Sequence, residues 1–393
     1  MLGGEWQGAC YVVERRYEPS RWYGREQVGA ISTRLSDAAG EAALVAGGSP
    51  ARAPFVFFDL ETTGLAGGAG TYAFLVGCGR CEVDGAFVTR QFLLVRHGDE
   101  RELLAAVGDA LGAAGALVSF NGKSFDAPLL ELRHLFHRLE WAAGRTPHLD
   151  VLHPARRFWG GPDNSLIALE AQLLGAMRTG DVPGFEIPSR YFQFVRSGDA
   201  GPLAAVLEHN RLDLLSLAGL TARLLHLVRQ GPEATADAQE ALALGRVYAR
   251  GGLDARACES YQRAVMVGKG ARASTTRIDA LRSLALLHRR ARRFEDAASC
   301  WQQLLAWPGC PPGVVREAGE ALAIHHEHRV RDLAVAKAFA LRSLDAVASN
   351  DDGPRPQWTE ALQHRVKRIE KKMNKSQLSR FNSQNTGRLR LET

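Results

Sequence analysis

Two acidic residues, Asp59 and Glu61, stand two positions apart at the end of the apolar, β-rich run PFVFFDLETTG. Side chains two apart on a strand point to the same face, so both carboxylates are expected on one side. Burying two like charges is costly unless a cation lies between them, and a divalent metal ion is the usual cation. The alternative is a strand end that carries two acids for solvation. The turn that follows, with Thr62 and Thr63, is expected to face a phosphate with its N–H groups and hydroxyls.

A third carboxylate suited to metal binding, Asp126, follows the apolar strand predicted over 115–120, in SFNGKSFDAPLL. It stands at the start of a predicted helix, where an aspartate also serves as an N-cap, so that a purely structural role is the alternative. In the same segment Asn121, Lys123 and Phe125 are candidates to contact a terminal nucleotide. Lys123 is the expected phosphate contact.

The segment LEHNRLDLLSLAGL predicts a helix on which Asp213 follows His209 by four residues. Residues four apart lie on one helical face, so the two side chains are expected to be neighbours. Leu212 and Leu215 give Asp213 apolar surroundings, which is unusual for a carboxylate without a partner. The alternative is a buried histidine beside a capping or ion-paired aspartate.

The elements that must position these residues follow a strand-then-helix order. Strands are predicted in 53–60, 71–95 and 115–122, and amphipathic helices over 100–114 and 126–139. Apolar central strands in this order indicate an α/β domain with a mixed sheet. Helical patterns then continue to about residue 228.

Beyond residue 231 the strand patterns stop and the chain is rich in Ala, Leu and Arg. Gly245 and Tyr261 fit a tetratricopeptide-like frame, and Ala285 and Trp301 repeat the same offsets 40 positions later, against a usual period of about 34 residues. A weaker third pass covers 318–344. The pattern resembles tetratricopeptide repeats, and a nonrepetitive helical domain is the alternative.

Composition limits the class of protein. The 393 residues are 46% hydrophobic and 23% charged, which is ordinary for globular domains and excludes wholesale disorder. No apolar run approaches the 18 or so residues of a membrane span, and the N-terminus does not read as a secretion signal, so a cytoplasmic protein without membrane contact is expected. Six cysteines are too few for a disulfide scaffold, and the pair Cys78 and Cys81 has no second pair to complete a zinc site.

The net charge of +6 is unevenly placed along the chain. Residues 354–393 contain 10 Lys and Arg against 3 Asp and Glu, whereas residues 1–230 contain 22 against 25. A basic tail of this kind can hold nucleic acid nonspecifically and in a salt-dependent way. The acidic motifs therefore lie in a part of the chain with a slight negative surplus.

Taken in order, DLETTG, N-x3-F-D and H-x3-D resemble the three motifs of the DEDD 3′→5′ exonucleases of the ribonuclease H-like superfamily. The resemblance covers roughly residues 53–228. It is strongest to the YprB-like group, whose members can carry C-terminal tetratricopeptide repeats. It implies an α/β ribonuclease H-like domain with a mixed sheet, followed by an all-α tetratricopeptide-like helical repeat domain.

The resemblance also implies roles for individual residues. Asp59, Glu61, Asp126 and Asp213 would be the four metal-binding carboxylates, and His209 the general base or water-positioning residue. The implied cofactors are two divalent metal ions, Mg²⁺ or Mn²⁺. The implied reaction is hydrolysis of single-stranded DNA or RNA from its 3′ end, with release of nucleoside monophosphates.

The third motif departs from the family pattern in one respect. In the His-type branch the base lies five residues before the last Asp, and in the Tyr-type branch a Tyr lies four before it, whereas His209 occupies the Tyr-type spacing. One helical position corresponds to a rotation of about 100°. The spacing favours the alternative of a noncatalytic nucleic-acid-binding or scaffold protein that uses the fold and the repeats as interaction surfaces.

The expected organisation has four parts. They are an N-terminal extension and linker (1–52), a ribonuclease H-like exonuclease domain (53–230), tetratricopeptide-like helical repeats (231–353), and a basic C-terminal helix and tail (354–393). The expected partners are nucleic acid at the first domain and a protein partner at the repeats.

Overall fold

The structure, a computed structural model, describes residues 2–47, 50–64, 70–267, 271–348 and 356–388. It divides into two units, Met1–Thr235 with Arg246–Leu253, and Ala236–Gly245 with Asp254–Thr393. The first unit combines strands and helices, and the second contains helices. The predicted α/β class with a mixed sheet, followed by an all-α region, is confirmed.

The strands of the first unit, within the described residues, are β1 (Glu5–Gln7), β2 (Cys10–Tyr17), β3 (Trp22–Tyr23), β4 (Glu26–Gln27), β5 (Phe55–Thr62), β6 (Ala73–Cys81), β7 (Phe87–Leu93), β8 (Ala116–Ser119) and β9 (His148–Asp150). Seven of them form one sheet in the order β1-β2-β7-β6-β5-β8-β9, and β3 pairs with β4. β5 runs parallel to β8, and β8 parallel to β9, while the other neighbours in the large sheet are antiparallel. The strand that carries the first acidic motif is therefore the point where the sheet changes from antiparallel to parallel pairing.

The α-helices described in the first unit are α1 (Val28–Asp37), α2 (Ala42–Val45), α3 (Glu100–Gly112), α4 (Asp126–Phe136), α5 (Leu152–Trp159), α6 (Leu166–Leu169), α7 (Ile187–Ser197) and α8 (Leu203–Gln230). A π-helical turn, Glu170–Leu174, continues directly from α6. The helices predicted over 100–114 and 126–139 correspond to α3 and α4.

The two faces of β5 have different tasks. Val56, Phe58 and Leu60 belong to the buried apolar cluster that also contains side chains of α3 such as Val107. Asp59 and Glu61 alternate with them, so they face the other side of the sheet, where α8 packs against β5. One face of β5 therefore contributes apolar side chains to the core, and the opposite face bears Asp59 and Glu61.

The prediction that residues 1–52 form an extension and linker outside the α/β domain differs from the structure. β2 pairs with β7 along its whole length, from Tyr11 opposite Leu93 to Tyr17 opposite Phe87. Val12 and Val13 of CYVVERRY are buried in the sheet core. These residues therefore extend the sheet, and residues 48–49 of the expected linker lie outside the described residues.

The helices that begin after Gly231 are α9 (Ala238–Arg250), α10 (Asp254–Met266), α11 (Ala271–Arg290), α12 (Phe294–Ala306), α13 (Pro312–His325), α14 (Leu333–Ala348) and α15 (Pro356–Arg388). A π-helical turn, His326–Val330, continues from α13. Small residues allow close packing in this second unit: Ala323, Ala336 and Ala340 form a core cluster with Ile369 of α15.

The basic C-terminal segment, expected as a helix and a tail, is helical over most of its length. α15 continues to Arg388, and residues 389–393 lie outside the described residues. None of the helices described combines the length and the apolar character needed to cross a membrane.

Candidate active site

The three acidic motifs meet in one cleft of the first unit. The cleft has a volume of about 390 Å³. Its lining includes Asp59 and Glu61 from β5, Asp126 from α4, and His209 and Asp213 from α8. Segments up to about 150 residues apart in the chain thus contribute to a single surface, with Leu129, Ile187 and Pro188 as its apolar side.

Asp59 is held in place by a hydrogen bond from α8. Asn210 is fully buried, and its Nδ2 donates to Asp59 Oδ2 at 2.8 Å, while its Oδ1 accepts from Gln91 Nε2 at 2.9 Å. Gly77 lies directly opposite Asp59 on β6, and a Cβ there would be 2.2 Å from Asn210 Oδ1. The absence of a side chain at Gly77 is therefore what admits the Asn210 amide.

Asp126 is the first residue of α4, and its side chain does not cap the helix, so the N-cap alternative is wrong. Asp150, at the end of β9, accepts the backbone N–H of Asn121 at 2.8 Å and of Lys123 at 3.1 Å. These bonds shape the turn, in which Asn121 adopts a left-handed φ of 70°. Asp150 therefore positions the loop that presents Asp126.

His209 and Asp213 do share one face of α8, as their spacing predicts. His209 Nε2 lies 3.5 Å from Asp213 Oδ2, and His209 Nδ1 lies 2.8 Å from Asp181 Oδ1. Because a carboxylate only accepts, Nδ1 donates to Asp181, and Nε2 is turned toward the Asp213 carboxylate. Asp213 is also ion-paired, as the structural alternative proposed, and its partner is Arg178 at 2.5 Å.

No pattern in the sequence indicates Arg178, Asp181 or Glu170. Arg178 is 4% exposed and contacts all three neighbouring acids: Glu170 at 2.7 Å, Asp213 at 2.5 Å and Asp181 at 3.2 Å. The arginine lies in an irregular segment between the π-helical turn and α7, where no periodic pattern marks it. Asn210 was also missed, because it stands between His209 and Arg211 in a polar run and the sequence does not show that its amide is buried.

The five predicted substrate-contacting residues divide into two groups. Thr62, Asn121 and Phe125 line the cleft, and Phe125 is 61% exposed. Thr63 and Lys123 do not line it. The Thr62 hydroxyl donates to Gly64 O at 2.9 Å, and the Thr63 hydroxyl accepts from the Tyr72 N–H at 3.0 Å, so both hydroxyls stabilise the turn after β5.

The carboxylates of the cleft repel one another. Burial raises the pKa of Asp59 and of Glu61 well above the ordinary values, and the neighbouring charges of Asp213 and Asp126 raise both further. Burial and then Asp150 raise the pKa of Asp126 to about 7. Burial also raises the pKa of Asp213, against the opposing effect of Arg178.

The raised pKa values show that Asp59, Glu61 and Asp126 have no positively charged group that offsets their burial. A divalent cation would remove both the burial cost and the repulsion, and Mg²⁺ and Mn²⁺ prefer oxygen ligands. The donor set therefore fits such ions. In the described parts of the chain, however, no three His, Cys, Asp or Glu side chains converge closely enough to form a ready-made ligand group.

Comparison with known proteins agrees with this fold. Residues 56–225, which span all three motifs, match the RNase_H superfamily. The chain is also 32% identical over 326 residues to the protein named "Uncharacterized protein YprB" of Bacillus subtilis (strain 168), a match that covers 80% of this chain and 74% of that relative. The mixed sheet, the matched range and this relative together show that the chain belongs to the ribonuclease H superfamily.

Proposed function

We propose that the chain is a metal-dependent 3′→5′ exonuclease of the DEDD type, which hydrolyses single-stranded DNA or RNA and releases nucleoside monophosphates. Membership in the ribonuclease H superfamily supports a nuclease-type function. The observation that carries the finer proposal is the meeting of Asp59, Glu61, Asp126 and Asp213 in one cleft, with raised pKa values at all four. A fold gains nothing in stability from buried carboxylates that repel one another.

The proposed ligands of two divalent ions are these four carboxylates. When bound, such ions stabilise the charge on the attacking and leaving oxygens of a phosphodiester. The protein's own part is orientation: Asn210 holds the Asp59 carboxylate, and Asp150 holds the turn before Asp126.

His209 is placed to accept a proton despite its Tyr-type spacing. Its Nδ1 donates to Asp181, which turns Nε2 toward Asp213 and the cleft. We assign Nε2 as the atom that takes the proton of the attacking water. Asp181 therefore acts as a positioning residue for the ring, as a carboxylate does for histidines in other hydrolases.

The apolar side of the cleft suits a nucleotide base. The exposed ring of Phe125 offers a stacking surface, and base–aromatic stacking tolerates any sequence. The phosphate-contact role of Lys123 belongs to the same proposal, because its side chain is exposed on the turn beside the cleft.

We also interpret the helical unit as tetratricopeptide-like and as the docking site of a protein partner. In support, a Cβ at Gly245 would lie 2.5 Å from the Tyr261 ring. Only glycine leaves room for the ring at this position, as the repeat frame requires. At the same offsets of the second pass, Ala285 and Trp301 are both buried.

The function is tested with matched single-stranded DNA and RNA oligonucleotides labelled at the 5′ end, in Mn²⁺. The wild-type protein should shorten at least one of them stepwise from the 3′ end. Asp59→Ala should lower the rate by at least about 100-fold, because loss of a direct ligand exceeds the 10- to 100-fold effect of an outer-shell change. Asp84→Ala, an exposed acid on the turn between β6 and β7, is the matched control and should leave the rate unchanged.

If neither polymer is shortened while both are still bound, the noncatalytic alternative is correct and the enzyme assignment is wrong. The relative rates on DNA and RNA define the substrate. An Asp59→Ala variant as active as the wild type would mean that the cleft is not the catalytic centre.

A further inference from the structure

Arg178 is a positive side chain that contacts Asp213, one of the acids that line the cleft. Arg178 uses all three guanidinium nitrogens: Nε and Nη2 donate to the two oxygens of Glu170 at 2.7 Å, Nη2 donates to Asp213 Oδ1, and Nη1 lies 3.2 Å from Asp181 Oδ2. Burial lowers the pKa of Arg178, but the bonds to Glu170 and the charge of Asp213 outweigh it, so the group stays charged. The arginine is thus a rigid three-way connector between acids.

Charge balance alone does not explain this arrangement. Glu170 is 1% exposed and pairs with Arg178 through two parallel hydrogen bonds, which already form a complete ion pair. Arg178 also contacts Asp213 and Asp181. Three carboxylates thus share one guanidinium, so the negative charges outnumber the positive one. The effect of these two contacts is geometric, because each fixes one oxygen of a carboxylate.

The two oxygens of Asp213 are divided between different neighbours. Oδ1 accepts from Arg178, and Oδ2 lies 3.5 Å from His209 Nε2. The two oxygens of Asp181 are divided in a similar way, with Oδ2 toward Arg178 and Oδ1 accepting from His209 Nδ1 at 2.8 Å. Both chains of contacts therefore run from one guanidinium to the histidine.

We propose that Arg178 is the positioning residue of the third motif, which holds Asp213 by Oδ1 so that only Oδ2 is offered to a metal ion, and which orients His209 through Asp181. This inference rests on the proposed function, since it assigns Asp213 as a metal ligand. Arg178 touches neither substrate nor metal in this scheme.

Substituting lysine for Arg178 distinguishes the effect of the guanidinium geometry from the effect of the positive charge. Arg178→Lys keeps the positive charge but replaces a planar group of three nitrogens by a single ammonium that cannot bridge three carboxylates in the same way. The test measures Mn²⁺ binding to the full chain by isothermal titration calorimetry, without nucleic acid, together with the melting temperature. Arg34→Lys, which alters an ion pair with Glu26 elsewhere in the same unit, is the matched control.

Arg178→Lys should weaken Mn²⁺ binding about tenfold or more, the size expected when an outer-shell partner of a ligand is lost. Arg34→Lys should bind Mn²⁺ like the wild type. If Arg178→Lys does not fold, Glu170→Gln replaces it: this change keeps Arg178 and Asp213 but removes one acceptor of the guanidinium, and it should weaken Mn²⁺ binding in the same direction.

Two results would overturn this proposal and leave the proposed function in place. A folded Arg178→Lys variant with a lower melting temperature and unchanged Mn²⁺ affinity would show a purely structural arginine. In the replacement experiment, unchanged affinity in Glu170→Gln would lead to the same conclusion. A wild-type protein that binds no Mn²⁺ at all would refute the proposed function as well, so the two failures are distinguishable.

Discussion

The acids of the cleft in the α/β unit and the buried Glu327 of the helical unit have opposite surroundings. In the α/β unit, Asp59 and Glu61 lie close to other carboxylates, and their pKa values are raised. In the helical unit, the Glu327 side chain is completely buried but is surrounded by cations, and its pKa is lowered to about 2. The repulsion among the cleft acids lowers the free energy of unfolding, and the pairing of Glu327 with cations raises it. The contrast separates an acid that the fold compensates with cations from acids that it leaves uncompensated, which are those of the proposed metal site.

The Glu327 cluster ties α15 to the π-helical turn after α13. Arg368 donates to both carboxylate oxygens, at 3.1 and 2.7 Å, and Lys372 donates at 2.7 Å. Arg365 adds a contact at 3.6 Å. Burial alone would raise the pKa of Glu327, but the hydrogen bonds from Arg368 and Lys372 outweigh it.

The largest effect on stability is expected at Glu327. Glu327→Gln removes the negative partner of several cations, and breaking a buried ion pair in this way costs about 3 kcal/mol of unfolding free energy. Chemical denaturation followed by circular dichroism measures the change, and hydrogen exchange of α15 peptides localises it. Glu370→Gln, on α15, is the matched control, because the exposed pair of Glu370 with Lys337 is worth less than about 1 kcal/mol. Equal losses in both variants would contradict the contrast between the units.

A smaller change of opposite sign is expected at Asp59. Asp59→Asn removes one of the mutually repelling charges, so the metal-free protein should gain about 1–2 kcal/mol of unfolding free energy. Denaturation in EDTA measures the gain, and Mn²⁺ should stabilise the wild type more than the variant. Asp84→Asn, at an exposed position, should change neither quantity. A variant less stable than the wild type in EDTA would mean that the acids of the cleft are already compensated.

The smallest effect is the pH dependence of the Glu327 contribution. The folded pKa, about 2, lies below the ordinary value of 4.5, so the contribution is complete well above pH 4.5 and is lost as the pH falls toward 2. The difference in unfolding free energy between wild type and Glu327→Gln should be constant from pH 7 to 6 and smaller by up to about 0.8 kcal/mol at pH 4. Denaturation at these pH values measures it. A difference that grows as the pH falls would reverse the assigned sign.

The sequence predicted those parts of the cleft that follow a local period. Asp59 and Glu61 share a face because strands alternate, and His209 and Asp213 share a face because helices repeat every 3.6 residues. The strands β1 and β2 were missed, although CYVVERRY contains the buried residues of a strand that pairs with both β1 and β7.

Ion pairs between segments that are distant in the sequence cannot be predicted from a strand or helix period. Arg178 joins residues from the π-helical turn, an irregular segment and α8, and the type of one residue does not reveal which partners the fold will bring to it. The direction of the His209 ring depends on Asp181 in the same way. Spacing alone therefore left its orientation open, whereas the fold provides an acceptor for one nitrogen.

Gly77 has no side chain, and this leaves the space that the Asn210 amide occupies. The same acidic motif placed in another protein would need the same space. The cross-strand neighbour of Asp59 must leave room for an amide that reaches down from α8, and a single methyl group would fill that room. A designer who grafts the acidic residues onto another sheet thus needs an empty place beside the first carboxylate as much as the carboxylate itself. The geometry of the cleft therefore depends on the lack of a side chain at Gly77.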